Sequence, residues 1–275
     1  MSVSAIKEQD YQAFRQILET SSGIVLGDNK QYLVASRLGP LMADQGVSDL
    51  GELVARLRRP GSGTLQARVI EAMTTNETQW FRDGYPFRVL KEHILPAYVK
   101  QNQRSVRVWS AACSSGQEAY SISMTVDEFN RTGRGSIDAE IVGTDIAPRM
   151  IEAARQGRYR ASVARRGLTS ERQQRYFREL GDDVWEVRPE IKRRATFKLH
   201  NLLDSYASLG RFDIIFCRNV LIYFSTDSRR DIIHRMAQSV RPGGWLIIGA
   251  SESLSGYAGD FEMHRLDGGV VYRRP

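Results

Sequence analysis

Apolar residues recur at helical spacing through the first eighty positions, then give way to short apolar runs set between longer mixed segments. Tyr11, Phe14, Ile17 and Leu18 mark one amphipathic helix, with Gly23 placed to stop it. Asp28-Asn-Lys-Gln31 opens a second, carrying Tyr32, Leu33, Leu38 and Leu41, which Gly39-Pro40 is expected to kink or end. Asp49-Leu-Gly-Glu52 opens a third with Leu53 and Leu57, Pro60-Gly-Ser-Gly63 is a turn, and a fourth helix covers 65–73. Core packing alone accounts for these stripes.

Another amphipathic helix is expected over 85–101, with Pro96 near its end. Strands and helices then alternate: strand 106–111, helix 117–130, strand 138–145, helix 148–156, and strands 195–200 and 212–217. Helix 226–240, a Pro242-Gly-Gly244 turn, strand 245–250 and a hairpin over 261–273 close the chain. Such alternation predicts an α/β fold with a doubly wound, mostly parallel sheet over 85–275, behind an N-terminal helical domain over 1–84. Residues 158–194 interrupt the pattern. Ser170-Glu-Arg-Gln173 reads as the capping-box start of a helix ending at Leu180-Gly181. Val184–Val187 and the residues from Ile191 onward read as a strand pair, so a small inserted β-subdomain is expected.

At 275 residues, with 41% hydrophobic and 26% charged positions, the composition is that of a soluble globular protein. No apolar run approaches the ~20 residues a bilayer span needs. The opening MSVSAIKEQDYQ lacks the charged-then-apolar order of a signal peptide, so a cytoplasmic protein without membrane insertion is expected. Cys113 and Cys217 form neither a disulfide framework nor a metal spacing, and four histidines without a His-x-x-x-His pair argue against a metal enzyme. Formal charge is +7 and unevenly spread. Residues 1–85 carry 9 Lys/Arg against 10 Asp/Glu, whereas residues 151–200 carry 13 against 7. The basic segment suits a polyanionic partner, nucleic acid or an acidic protein surface, unless it is simply a solvated face.

The chemistry concentrates at strand ends. Val106-Arg-Val-Trp-Ser-Ala-Ala-Cys-Ser-Ser-Gly-Gln-Glu118 reads as a strand, a small-residue loop and a helix start, and Ile141-Val-Gly-Thr-Asp145 as a strand ending in a carboxylate. That frame suits an adenosine-bearing ligand whose ribose hydroxyls an acid can accept. Gly-x-Gly-x-x-Gly is absent, only Gly116 standing in the loop, so a cofactor without phosphates, such as S-adenosylmethionine, fits better than NAD. Three further segments belong at the same edge: Thr74–Asp83, His200-Asn-Leu-Leu203, and Phe212–Phe224, where an apolar strand ends abruptly in Arg218-Asn219. Capping, turn and surface roles account for Asn76, Thr78, Arg82 and Asn201 taken singly, but not for the Arg-Asn pair.

These words, T-T-N-E-T-Q-W-F-R-D, V-W-S-A-A-C-S-S-G-Q-E-A-Y-S, G-T-D-I, H-N-L-L, F-C-R-N-V-L-I-Y-F and R-P-G-G, run in order from Thr74 to Gly244. In that combination the sequence resembles the chemotaxis receptor methyltransferases, the CheR family of protein-glutamate O-methyltransferases. The resemblance implies a class I methyltransferase-like sheet and S-adenosyl-L-methionine as cofactor, with S-adenosyl-L-homocysteine as product. It implies cofactor contacts at Asn76, Thr78, Arg82, Glu118, Asp145, Asn201, Leu202, Arg218 and Asn219, places Arg82 and Tyr223 nearest the transferring methyl, and calls for no metal. Arg82 suits the methionyl carboxylate, Asp145 and Glu118 the ribose hydroxyls, and Asn201 with Leu202 the adenine. The implied partners are the acidic cytoplasmic methylation helices of chemoreceptors. Arg172, Arg175 and Arg178, read as one helix over 170–180, are the first docking choice, and Arg56, Arg58 and Arg59 the second. The short Leu180-Gly-Asp-Asp-Val184 turn argues against capture of a receptor's C-terminal peptide, and a monomer is expected. Two alternatives stay open: a methyltransferase of another acidic protein or of nucleic acid, although no Asn/Asp-Pro-Pro-Tyr/Phe motif is present, and a non-catalytic cofactor-binding sensor.

Overall fold

The computed structural model describes residues 6–256 and 259–275, so the first five residues of the opening segment considered above lie outside the described residues. Helix α1 (Glu8–Ser22) buries Tyr11, Phe14 and Leu18 and ends at Gly23 in the left-handed region (φ 77°). Of the two outcomes open at Gly39-Pro40, a kink or an end, helix α2 (Gln31–Asp44) does not end there but runs through Pro40. Both residues face solvent, so the missing N–H leaves no buried carbonyl unpaired, while Leu38 and Leu41 hold the turn from the core side. Helix α3 (Leu50–Leu57) opens with a reciprocal cap: Asp49 accepts from the Glu52 amide at 2.9 Å, and Glu52 accepts from the Ser48 amide at 2.9 Å. With α4 (Gly63–Met73) these helices close one apolar core.

The expected helix over 85–101 runs without interruption from Tyr85 to Lys100, but its middle turn is widened. Helix α5 (Tyr85–Val89) passes through a π-helical turn, Leu90–Ile94, into α6 (Leu95–Lys100). Pro96 lies near the end of this run, as expected, just past the widened turn. It has no N–H for the Glu92 carbonyl, and the widened turn before it absorbs the mismatch.

The alternation that follows matches the expected α/β class. Strand β1 (Ser105–Ala111) leads to α7 (Gln117–Asn130), and β2 (Asp138–Asp145) to α8 (Pro148–Gln156). The insertion holds β3 (Arg158–Arg160), α9 (Ala161–Arg165), α10 (Ser170–Tyr176), β4 (Phe177–Gly181), β5 (Val184–Val187) and α11 (Pro189–Lys192). The chain then forms β6 (Ala195–Leu199), β7 (Phe212–Cys217), α12 (Thr226–Ser239), β8 (Val240–Ile248), β9 (Glu262–Leu266) and β10 (Gly269–Arg273). The main sheet runs β6-β2-β1-β7-β8-β10-β9, parallel up to β8 and antiparallel beyond it. Strand order reverses between β1 and β7, and at such a switch the C-terminal strand ends open a crevice.

Three local readings need correction. The helix read over 170–180 stops at Tyr176, and its cap is Thr169, whose hydroxyl accepts from the Arg172 amide at 3.2 Å. Residues 177–181 instead pair antiparallel with β5, placing Arg178 opposite Glu186; Arg178 is a strand residue. Phe177 fixes the switch, because its ring meets Trp80 edge-on at 5.0 Å in the core. Second, Ile191 lies in α11 behind Pro189, and the strand that completes the small sheet is β3, in the order β3-β5-β4. Third, Pro242-Gly-Gly244 lies inside β8 as a bulge, Phe212 pairing with Val240 but Ile214 with Trp245. A Cβ on Gly244 would stand 2.6 Å from the Asp213 carbonyl oxygen.

The single glycine of the β1 loop packs against protein. Gly116 caps α7 at φ 93°, and a Cβ there would lie 2.9 Å from Ala154 Cβ and 3.2 Å from Ala154 Cα on α8. Gly116→Ala is expected to lose about 3 kcal/mol through overpacking and left-handed strain combined. Denaturant melts check this; a loss near zero shows that α8 yields freely.

Candidate active site

One cleft of about 980 Å³, counted to its open mouth, lies over the β1/β7 switch. Asn76, Thr78, Arg82, Glu118, Asp145, Asn201, Leu202, Arg218, Asn219 and Tyr223 all line it, although they span nearly 150 positions of sequence. The Ala112-Cys113-Ser114 loop forms one wall, and Ser22, Ile24 and Met73 bring the helical region to another.

The floor is built on charge. Arg218 closes β7 with its side chain only 2% exposed. It donates to Glu118 at 2.7 Å, to Asp83 at 2.8 Å and to the Arg82 carbonyl at 2.6 Å, tying β7 to the first turn of α7 and to the 82–83 segment. Its Nε is buried without a partner among the described residues. The second oxygen of Glu118 accepts from Ser110 Oγ at 2.7 Å. Asp145 accepts from the Ser114 amide at 2.8 Å and the Ala147 amide at 2.9 Å, and burial raises its pKa against these bonds. One guanidinium thus faces Asp83 and Glu118, with Asp145 beside them. A floor carrying excess carboxylate disfavours phosphate and suits a cationic ligand with hydroxyls to donate.

The walls differ in how free they are. Among the described residues no hydrogen bond engages the side-chain ends of Asn76, Thr78 or Tyr223, and Arg82 spends one nitrogen on the Glu77 carbonyl at 3.1 Å. Asn201 is more committed: its amide donates to the Ser21 carbonyl at 2.8 Å and accepts from the Leu203 amide at 3.0 Å. Leu202 is 6% exposed and offers an apolar surface. Asn219 holds a left-handed φ of 56°. Ala112 (φ 59°) and Ser114 (φ 49°) do likewise, which brings their backbone to the cleft without glycine. Cys113 is buried among apolar neighbours, and desolvation drives its thiol pKa well up, so it is an inert packing group.

Sequence reasoning missed four residues in or behind the cleft. His200 lines the cleft with its Nε2 unpartnered among the described residues, and burial lowers its pKa, keeping the ring neutral. Ser22 and Ile24 enter only because the chain after α1 folds back over the sheet, which no local pattern announces. Glu252 stands behind the Asn219 turn and accepts four backbone amides. Its only signal was a lone carboxylate soon after an apolar strand.

Two family models cover most of the chain: "CheR methyltransferase, all-alpha domain" over residues 9–74 and "CheR methyltransferase, SAM binding domain" over residues 76–270. A chemotaxis protein methyltransferase 1 of Pseudomonas aeruginosa is 52% identical over 96% of this chain and 97% of its own. The chemotaxis protein methyltransferase Cher2 of Pseudomonas putida is 50% identical over the same shares. A chemotaxis protein methyltransferase of Vibrio anguillarum is 46% identical over 99% of both chains. No helix among the described residues is long and apolar enough to cross a membrane.

The Arg218 cluster gives the site a direct test. Arg218→Met leaves Glu118 and Asp83 without their cation and is expected to cost about 3–5 kcal/mol of stability. Chemical denaturation measures it, and a loss below about 1 kcal/mol rules out a structural floor built on this residue.

Proposed function

This chain belongs to the CheR methyltransferase family, and on that premise we propose how its cleft serves the family's reaction. The protein is an S-adenosylmethionine-dependent methyltransferase of chemotaxis, and the glutamate side chains of chemoreceptors, esterified for sensory adaptation, follow as its substrates from the family. The observation that carries the site assignment is the convergence of the ten residues on one cleft with an anionic floor.

Bound S-adenosylmethionine supplies a methyl group activated by its sulfonium. Arg82, with two guanidinium nitrogens free, grips the methionyl carboxylate. Asp145 and Glu118 accept from the ribose hydroxyls, while Leu202 and the remaining Asn201 N–H border the adenine. Asn76, Thr78 and Asn219 flank the donor, and Arg218 acts chiefly by fixing Glu118 and the 82–83 segment. The acceptor glutamate, with an ordinary pKa of about 4.3, is ionised at neutral pH. No general base is needed, so the residues at the mouth have to orient the acceptor and exclude water. Tyr223, its hydroxyl unengaged, performs the orienting.

Docking divides between the two arginine groups. Arg172 is spent on Glu128 at 2.7 Å and on the Phe81 ring at 3.7 Å, Arg175 on Glu171, and Arg178 on Glu186. Arg56 is spent on Glu52 and on the Gln45 and Gly46 carbonyls. Arg58 and Arg59 are exposed and form no ion pair among the described residues, so we place the contact with the acidic methylation helices on them. Asp182 and Asp183, at φ 49° and 60°, turn β4 into β5 in two residues, leaving no loop to fold over a receptor peptide. The enzyme then works as a cytoplasmic monomer without a tether.

Three experiments test this reading. With labelled cofactor and receptor-rich membranes, the enzyme should form methyl groups that alkali releases as volatile methanol; N-methylation or no labelling would mark the nucleic-acid and sensor readings. Tyr223→Phe should lower that turnover about tenfold while cofactor affinity stays within about twofold. Arg58→Glu with Arg59→Glu should raise the receptor KM and flatten its salt dependence, equally for receptors with and without their C-terminal residues. An unchanged salt slope moves docking elsewhere, and a rate that collapses on receptor truncation restores the tether.

A further inference from the structure

On the reading above, the Asn219–Tyr223 turn borders the donor and carries the tyrosine nearest the acceptor, and its own bonds, Tyr223 N to the Val220 carbonyl at 3.1 Å and Phe224 N to the Leu221 carbonyl at 3.2 Å, shape only its second half. Asn219 is left-handed at φ 56°, Val220 lies at φ −127° and ψ −33°, and only then does the short 3₁₀ turn Leu221–Tyr223 begin. Three consecutive amides at 219–221 point away from the cleft. They converge on one carboxylate: Glu252 Oε2 accepts from Asn219 N at 2.7 Å, and Oε1 from Val220 N at 3.1 Å and Leu221 N at 2.9 Å. Oε2 also accepts from Gly249 N at 2.8 Å, just beyond β8. The carboxylate reaches this position because residue 249 has no side chain: a Cβ there would lie 2.7 Å from Glu252 Oε2 and 2.7 Å from Asn219 Nδ2. Gly249 and Glu252 thus form a clamp between adjacent strand ends.

We propose that Glu252 is a positioning residue for methyl transfer, acting through the 219–223 turn: Oε2 sets Asn219 against the donor and Oε1 sets the turn that aims Tyr223. The carboxylate is suited to this because each oxygen has two lone pairs and each meets two N–H donors. An amide cannot substitute. Glu252→Gln converts one oxygen into an NH₂ group facing two N–H donors, so one half of the clamp must open. This deepens the reading of the cleft and rests on the roles given there to Asn219 and Tyr223.

The test combines Glu252→Gln, Tyr223→Phe and the double variant. In protein without cofactor, amide hydrogen exchange at 219–221 and 249 should accelerate in Glu252→Gln while the β1 and β2 amides stay protected. Calorimetry should find S-adenosylhomocysteine bound about tenfold more weakly, the loss expected of a charge-assisted bond or two. At saturating cofactor, turnover should fall in Glu252→Gln, and in the Tyr223→Phe background the same change should cost turnover nothing further while still weakening product binding. Glu252→Asp, which keeps both oxygens one methylene further back, should regain part of the exchange protection, and it takes over the test if Glu252→Gln fails to fold. Unchanged exchange and affinity overturn the clamp, as does a turnover loss that multiplies with that of Tyr223→Phe. If Tyr223→Phe alone leaves turnover intact, the role given to Tyr223 fails, and exchange with product affinity alone then decide for or against Glu252.

Discussion

The buried Arg218 guanidinium is the charge on which the geometry of the cleft depends. Removing an arginine from water costs several kcal/mol, and so does removing each carboxylate it faces. Such a cluster persists only if every partner is held at bonding distance, and here Asp83, Glu118 and the Arg82 carbonyl are held between 2.6 and 2.8 Å. The three partners come from two separate stretches, and the arginine from a third. Moving any one of them leaves a desolvated charge behind, so the cluster acts as a rigid reference for the cleft residues around it. Its sign has a second consequence. One cation against two carboxylates, with Asp145 alongside, makes the floor anionic in a protein whose net charge is +7. On the proposed reading, a cationic donor meets this floor and an acidic receptor helix the basic exterior.

Rigid references allow strain. Ten non-glycine residues among those described have positive φ, and five of them, Phe81, Asp83, Ala112, Ser114 and Asn219, surround this cluster. Each conformation of this kind costs on the order of 1–3 kcal/mol unless its surroundings compensate. The compensations are visible. The Phe81 amide donates to Ser121 and its ring lies under Arg172, Asp83 is held by Arg218, the Ser114 amide by Asp145, and the Asn219 amide by Glu252. Arg172 thereby has an assignment that its charge did not suggest. It braces the inserted subdomain against α7 and the Phe81 ring.

What could be read from the sequence followed from local physics. The strands and helices of the sheet announced themselves through periodicity, and the polar residues at their ends through the abruptness with which apolar runs stopped, as at Arg218-Asn219. Failures came where a distant contact outweighed a local preference. At Pro40 the local pattern left a kink or an end open, and the burial of Leu38 and Leu41 decides that the helix continues. Residues 177–181 look helical as a continuation of α10, but Phe177 is captured by Trp80, ninety-seven positions away. Asn201 was legible as a cleft residue, whereas its bond to the Ser21 carbonyl depends on how two regions pack. Glu252 was illegible for the same reason: a carboxylate that only accepts backbone amides leaves no pattern of side-chain types.

The bond from Asn201 to Ser21 belongs to a set that changes the meaning of the helical region. The Val25 amide donates to the Tyr223 carbonyl at 2.9 Å, Gly23 is so close to the Phe224 ring that a Cβ would stand 2.2 Å from it, and Arg37 donates to the Met73 carbonyl and to Thr75 at the lip of the cleft. The segment leaving α1 therefore lies across both of these loops lining the cleft, 201–203 and 223–224. A helical domain that only carried a docking surface could be joined by a linker and left free. This one supplies a wall of the cofactor cleft, and its contacts reach the backbone of the residue proposed to aim the acceptor. A receptor helix pressing on α3 would load the same core that positions Ser21–Val25. The proposed docking face and this wall of the cleft thus rest on one shared apolar core.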